Sequence, residues 1–251
     1  MAQVAPETWG GTDSSGWNRP IDIISLGAEF TASPGEGDFF EKYQDLGGTV
    51  SGMDAYVAPV LAGRMVLDES LRLTVFGSYR HTSFVDPHGV ALDTTGEFRG
   101  ISASLVEEVS FTVIPVMVGL EYSPIRSQFT SYVGVSLGAA VATVDWTTTT
   151  RELTGVFYRP AVNTKGLSVG PAARIYTGVD LRFDRYFQGR GSIRGIYLEG
   201  AFTVLPVTRD YFAEVRTQGK GVAGLPENDS ATLYVGGISF TLGLNLQFLR
   251  L

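Results

Sequence analysis

Apolar and polar residues alternate one for one over long stretches of this chain, nowhere more regularly than from Ala231 to Leu251. Ile238, Phe240, Leu242, Leu244, Leu246 and Phe248 fall on one face, and Ser239, Thr241, Gly243, Asn245 and Gln247 on the other. A period of two over this length predicts a β-strand with one oily and one polar side. Eleven such residues at a rise of ~3.3 Å and a tilt of ~45° cover about 25 Å, the height of the apolar band on a membrane-spanning barrel.

The same alternation predicts seven earlier strands. The first starts near Ile21; the next five are Ala55 to Met65, Leu71 to Ser83, Val109 to Tyr122, Phe129 to Asp145 and Leu167 to Phe183, and a seventh runs through Ile196 to Val204. The links alternate in length. Long ones cover 33–53, 86–107, 146–166 and 208–230, and short ones are VLDES, SPIRS and the turn near Asp184 to Ser192. Within the first long link, FFEKYQDL reads as a short helix before Gly47-Gly48. Barrels of the outer membrane have short periplasmic turns and long external loops. The expected fold is therefore all-β: a closed, up-and-down, eight-stranded antiparallel transmembrane barrel over residues 20–251. Residues 1–19, polar apart from Trp9 and Trp17, read as a flexible lead-in.

Composition narrows the choice of solvent. Only 18% of residues are charged, against roughly a quarter in soluble domains. Mean hydropathy is only +0.11, and the longest apolar run, Val113 to Leu120, is far short of the ~20 residues of a membrane helix. Membrane strands escape this test because they are only half apolar. The absence of cysteine excludes disulfides and thiolate metal sites. A net charge of −7 with no basic block argues against nucleic acid. The opening MAQVAPETWGG lacks the basic start and apolar core of a signal peptide, so a leader is expected to have been removed.

Charges on the non-oily faces point the same way. Glu29, Arg64, Arg72, Arg80, Glu121, Arg174, Asp180, Arg182 and Glu199 share that parity. Inside a narrow barrel the low dielectric obliges charges to pair, so these nine are expected to form an interior ion network. A soluble barrel would reverse the faces. Aromatic residues near strand ends suggest two interfacial belts: Phe30, Tyr79, Phe84, Trp146 and Tyr234 towards the long links, and Tyr122, Phe129, Phe183, Tyr186, Phe187 and Phe248 towards the short ones.

Two neighbouring stretches carry a resemblance. FTVIPVMVGLEYSP (Phe111 to Pro124) and SYVGVSLGAAV (Ser131 to Val141) resemble the central hairpin of small outer-membrane barrels related to the OmpA transmembrane domain, most closely the Bacteroidetes-type version. In that family an Ile-Pro pair opens a descending strand and the next begins Tyr-Val-Gly. The resemblance implies an outer-membrane location and, for some members, partnership with secretion or motility machinery. At its end the chain departs from the family's usual terminal aromatic, reading Phe248-Leu-Arg-Leu251. Pro59, Pro115 and Pro171 fall near the starts of the descending strands, where proline, which cannot donate to a ladder, predicts bulges or frayed pairing at the long-loop rim.

Site chemistry is sparse. His81 and Ser83 share the outer face of the third strand, and a lipid-modifying dyad there would need a carboxylate behind the imidazole. Asp86 is the one acid close in sequence, and it precedes Pro87 in what reads as a solvent-facing turn. An interfacial histidine is the simpler reading, and no enzyme activity or cofactor is expected. The sequence therefore suggests a structural or interaction barrel, contacting outer-membrane lipid or lipopolysaccharide and docking envelope proteins through its long loops or N-terminal tail. A small pore or transporter is the alternative.

Overall fold

The computed structural model describes residues 23–32, 37–45, 48–68, 70–91, 102–124, 129–152, 162–183, 193–209 and 230–246. The elements are β1 (Ile23–Ala32), α1 (Asp38–Asp45), β2 (Tyr56–Val66), β3 (Leu71–Ser78), β4 (Arg80–Ala91), β5 (Ser102–Tyr122), β6 (Phe129–Glu152), β7 (Val162–Arg182), β8 (Ile193–Val204), β9 (Pro206–Arg209), β10 (Ala231–Tyr234) and β11 (Gly237–Leu246). The expected lead-in at 1–19 lies outside the described residues.

These strands make eight antiparallel staves closed into a barrel. β3 and β4 pair with β5 in a single register, Gly77 opposite Val116 and Arg80 opposite Val113, so they are one strand. Their ladder lapses where Ser78 and Tyr79 face Pro115 and Ile114, because Pro115 has no N–H to give. β9 and β10 likewise continue β8 and β11 without change of register. The seam closes between β11 and β1, from Ile24 opposite Leu246 to Ala32 opposite Ile238. Closure leaves no strand edge in hydrocarbon, where each unpaired backbone group costs several kcal/mol.

The outer wall carries the oily parity. Leu242 is 62% exposed, Leu137 70% and Val118 51%, while Ser239, Thr241 and Asn245 of the alternate parity are buried. An apolar belt around a closed antiparallel barrel makes this an outer-membrane protein. Between β2 and β3, Asp68 Oδ1 accepts the Ser70 and Leu71 N–H groups at 2.7 and 2.8 Å, an Asx-type turn.

Three expectations need correction. The links expected at 86–107 and 146–166 are largely strand: β4 pairs with β5 out to Ala91 opposite Ser102, and β6 with β7 out to Thr148 opposite Val162. Around them the outward residues are mixed, polar at Ser83, Glu108, Ser110, Thr143 and Thr147 but apolar at Val85, Pro87 and Val106. Alternation vanishes once a strand rises clear of lipid, which made these arms read as loop. Second, Phe84 and Trp146 do not belong to the outer aromatic belt. They are 7% and 1% exposed and point into the barrel, whereas Phe30, Tyr79, Tyr122, Phe129 and Tyr234 do face outward. Third, Pro115 lies well inside β5, and the ladder there frays without a bulge. A register shift occurs instead between Asn245 and Leu246.

The lumen is filled in two layers. Towards the short turns it is charged. Towards the long links it is apolar, packed around α1, the helix expected from FFEKYQDL.

Candidate functional site

The charged layer is a chain of alternating signs. Arg80 bonds Glu29 at 2.7 Å, and Glu29 meets Arg174 at 3.4 Å. Arg174 bonds Glu199 at 2.6 Å, and Glu199 lies 3.6 Å from Arg64. Arg64 bonds Glu121 at 3.0 Å, Glu121 bonds Arg72 at 2.7 Å, and Arg72 reaches Asp180 at 3.4 Å. Four arginines and four acids are thus linked end to end, each nearly inaccessible to water. Arg72 and Glu121 stand directly opposite on β3 and β5, while the other links reach further round the wall or across the lumen. Arg182, the ninth residue of the expected set, sits half-buried at the end of β7.

Neutral groups complete the layer. Arg64 donates to Ser25 Oγ at 2.5 Å and to Asn245 Oδ1 at 3.3 Å, and Asn245 donates onward to Asp180 at 3.1 Å. Tyr132 donates to Glu199 at 3.0 Å. The Arg64 guanidinium lies over the Tyr132 and Tyr197 rings, 5.2 Å from each centroid, and Arg174 lies over Phe76 at 4.2 Å. Cation–π contact and hydrogen bonds together offset part of the desolvation of buried guanidinium groups.

Glycine makes room for these rings. Tyr132 lies across Gly178, Tyr176 across Gly134 and Tyr197 across Gly243, each glycine being the residue directly opposite on the neighbouring strand. A Cβ at any of the three would collide with the ring. Tyr132-Val133-Gly134 therefore places one tyrosine over a glycine and one glycine under a tyrosine, both inside the wall.

Above the charges, α1 plugs the mouth. Phe39, Phe40 and Tyr43 are 0, 4 and 1% exposed. Phe39 meets Phe111 edge-on at 5.6 Å and Trp146 at 6.4 Å, and Tyr43 meets Phe84 at 5.4 Å and Trp146 at 5.8 Å. Each buried ring contributes about 1.5–3 kcal/mol by area alone, with edge-to-face pairs adding to it.

Polar ties hold the plug on two sides. Towards β10, Asp38 accepts the Thr232 N–H at 2.5 Å and pairs with Lys42 at 3.1 Å, while Lys42 donates to the Ser230 carbonyl at 2.9 Å. Gly37 enters the helix at φ 146°, where a side chain would strike the Thr232 carbonyl. Towards β4, Asp86 accepts from the Tyr43 hydroxyl at 2.9 Å, the Thr49 N–H at 2.6 Å, the Thr49 hydroxyl at 2.5 Å and the Val50 N–H at 3.3 Å. Burial opposes charge on Asp86, but these donors outweigh it and hold the carboxyl below its ordinary range. Asp38 is held low in the same way, its burial outweighed by Thr232 and Lys42. Burial, with Glu107 and Asp86 beside it, pushes the Tyr43 phenol well up, so it remains a donor.

Asp86 thus faces the lumen, fully buried, and does not lie in a solvent-facing turn. His81 faces outward on the same strand, its Nδ1 3.0 Å from Thr112 Oγ1, and Ser83 is also outward. Asp86, the acid nearest that pair in sequence, therefore lies on the other side of the wall, while Glu108, opposite Val85 on β5, faces outward. Among the described residues, no cluster of three or more His, Asp or Glu side chains could hold a metal.

Sequence reasoning took Asp86 for a solvent-facing acid and gave no role to Asp38, Ser25, Asn245 or the aromatic face of α1. Parity could have found several: Asp86 shares the inward face of Arg80, and Trp146 that of Tyr132.

No protein-family model matches the chain, and no curated protein does either. Among solved structures the chain is similar to Ail, the attachment invasion locus protein of Yersinia pestis, crystallised with the heparin analogue sucrose octasulfate, at 11% identity and a TM-score of 0.42 over 90% of this chain and 97% of that one. It is similar to OprG from Pseudomonas aeruginosa at 12% identity and a TM-score of 0.43, over 91% of this chain and 95% of that one. Neisserial surface protein A compares at 11% and 0.42, over 90% of this chain and 96% of that one. At such values neither residue roles nor a function passes from these proteins to this chain.

Proposed function

We propose that this barrel is a structural and interaction protein of the outer membrane, docking an envelope partner through its projecting strands, and that it is neither a general pore nor an enzyme. The observation that carries this reading is the occupied lumen: among the described residues, eight linked charges below and three helix aromatics above stand inside the wall, while β4, β5 and β6 run on past the apolar belt with polar residues such as Ser83, Glu108 and Thr143 on their outer faces. Strands long enough to clear the membrane but not needed to cross it are surface for contact. The separation of His81 from Asp86 by the wall supports an interfacial role for the histidine.

The test is site-specific photo-crosslinking in native membranes from Ser83, Glu108 and Thr112, with Leu242 on the belt as control. A discrete protein adduct from the projecting positions and lipid alone from Leu242 is the expected result. Lipid alone at every position would contradict a docking role. The pore alternative predicts large, stable single-channel currents from purified protein.

A further inference from the structure

Asp86 and Glu107 stand directly opposite each other on β4 and β5, both buried, and both lie against the Tyr43 hydroxyl of α1. Asp86 also gathers Thr49 and Val50, so one carboxylate fastens both the helix and the segment that follows it. On the other side of the mouth the matching fastening is Asp38 on the Thr232 N–H, with Lys42 as its facing charge. The polar ties given for the plug thus centre on Asp86 and Asp38, with Glu107 beside Tyr43 and one lysine contact to the Ser230 carbonyl, and they are strongest when the carboxyls are ionised and their bonds charge-assisted. We propose that α1 is a latched plug, released by acid through Asp86 and Asp38, whose departure opens an apolar cup lined by Met53, Phe84, Phe111, Trp146 and Leu233. This goes beyond the docking role, which concerns the outer faces of the strands.

The sign follows from the donors. A carboxyl held below its ordinary range by native bonds contributes fully at neutral pH, and loses that contribution as pH falls through its native value. Both Asp38 and Asp86 are held low, so acid weakens both fastenings together. Glu107 is the titratable group facing Asp86 from β5, and Tyr43 the one facing it from α1. Neutralising Glu107 removes a like charge and should make the latch more resistant to acid.

Trp146 reports the state of the plug, since it packs on Phe39 and Tyr43. The experiment uses full-length protein in detergent micelles carrying Trp9→Phe and Trp17→Phe, which leaves Trp146 as the one tryptophan. Acrylamide quenching is followed from about pH 7 to about pH 1.5, through and below the ordinary carboxyl range, with heat-modifiable gel mobility reporting the folded barrel. The quenching constant should rise several-fold on acidification while the barrel stays folded. Asp86→Asn should show the raised value already at neutral pH, and Glu107→Gln should move the transition to lower pH. Unchanged quenching in a folded barrel overturns the proposal, as does quenching that rises only when the barrel itself unfolds. An Asp86→Asn protein that behaves like the parent, or a Glu107→Gln transition at higher pH, overturns it too.

Discussion

Glu121 accepts from two arginines, Arg64 and Arg72, whereas Arg80 lies at the end of the charge chain and serves Glu29, which Arg174 also approaches. Position in the chain should therefore decide the cost of a substitution. Glu121→Gln takes the nearest counter-charge from two buried guanidinium groups, leaving Arg64 with Glu199 at 3.6 Å and Arg72 with Asp180 at 3.4 Å, and is expected to destabilise the barrel by about 3–5 kcal/mol. Arg80→Met leaves Glu29 with Arg174 and should cost less. Urea unfolding of micelle-refolded protein measures both, and equal losses would argue against a linked chain. Gly178 makes a different kind of test, because the collision of an added Cβ involves the Tyr132 ring and also the Leu198 carbonyl, which cannot swing aside. Gly178→Ala should lose about 1–3 kcal/mol through overpacking, read in the same assay.

At the scale of elements, the belt strands and the helix of FFEKYQDL were legible; the arms, and the place of that helix inside the barrel, were not. Ile238 to Leu246 alternate against lipid on one side and a polar lumen on the other, so their sequence mirrors their surroundings residue by residue. Beyond the belt, β6 runs on through Thr147 to Glu152, and the oily parity of the sequence stops although the pairing does not. Parity alone also assigns Phe84 and Trp146 to the interior. Their bulk suggested an interfacial belt because nothing local in the sequence says that a helix comes to cover them. The charged set was legible from parity; its pairing order was not, since links such as Arg72 to Asp180 join residues far apart in sequence. Burial of α1 rests on its entry at Gly37 as well as on its aromatics. Gly37→Ala is expected to disfavour the positive φ and crowd Thr232, and Phe39→Ala to leave a cavity costing about 3–5 kcal/mol. In hydrogen exchange, both should speed the α1 amides while those of β11 keep their protection. Protection lost equally in α1 and β11 would mean that the plug and barrel form one cooperative unit.

For the whole molecule, closure of the wall and filling of the lumen are separate achievements. The wall is closed by backbone pairing at the β1–β11 seam. The lumen is filled by side chains, and eight staves leave an interior only just wide enough for them. An apolar exterior, a salt-bridged lower lumen and an aromatic upper lumen are the features that support the proposal of an anchored scaffold that docks partners rather than conducting solutes. That claim is tested most directly by single-channel recording of the purified protein in planar bilayers at neutral pH. A filled lumen predicts a silent membrane, without steps that persist, at protein levels where an open barrel conducts. Large, stable and reproducible current steps from the parent protein would contradict it.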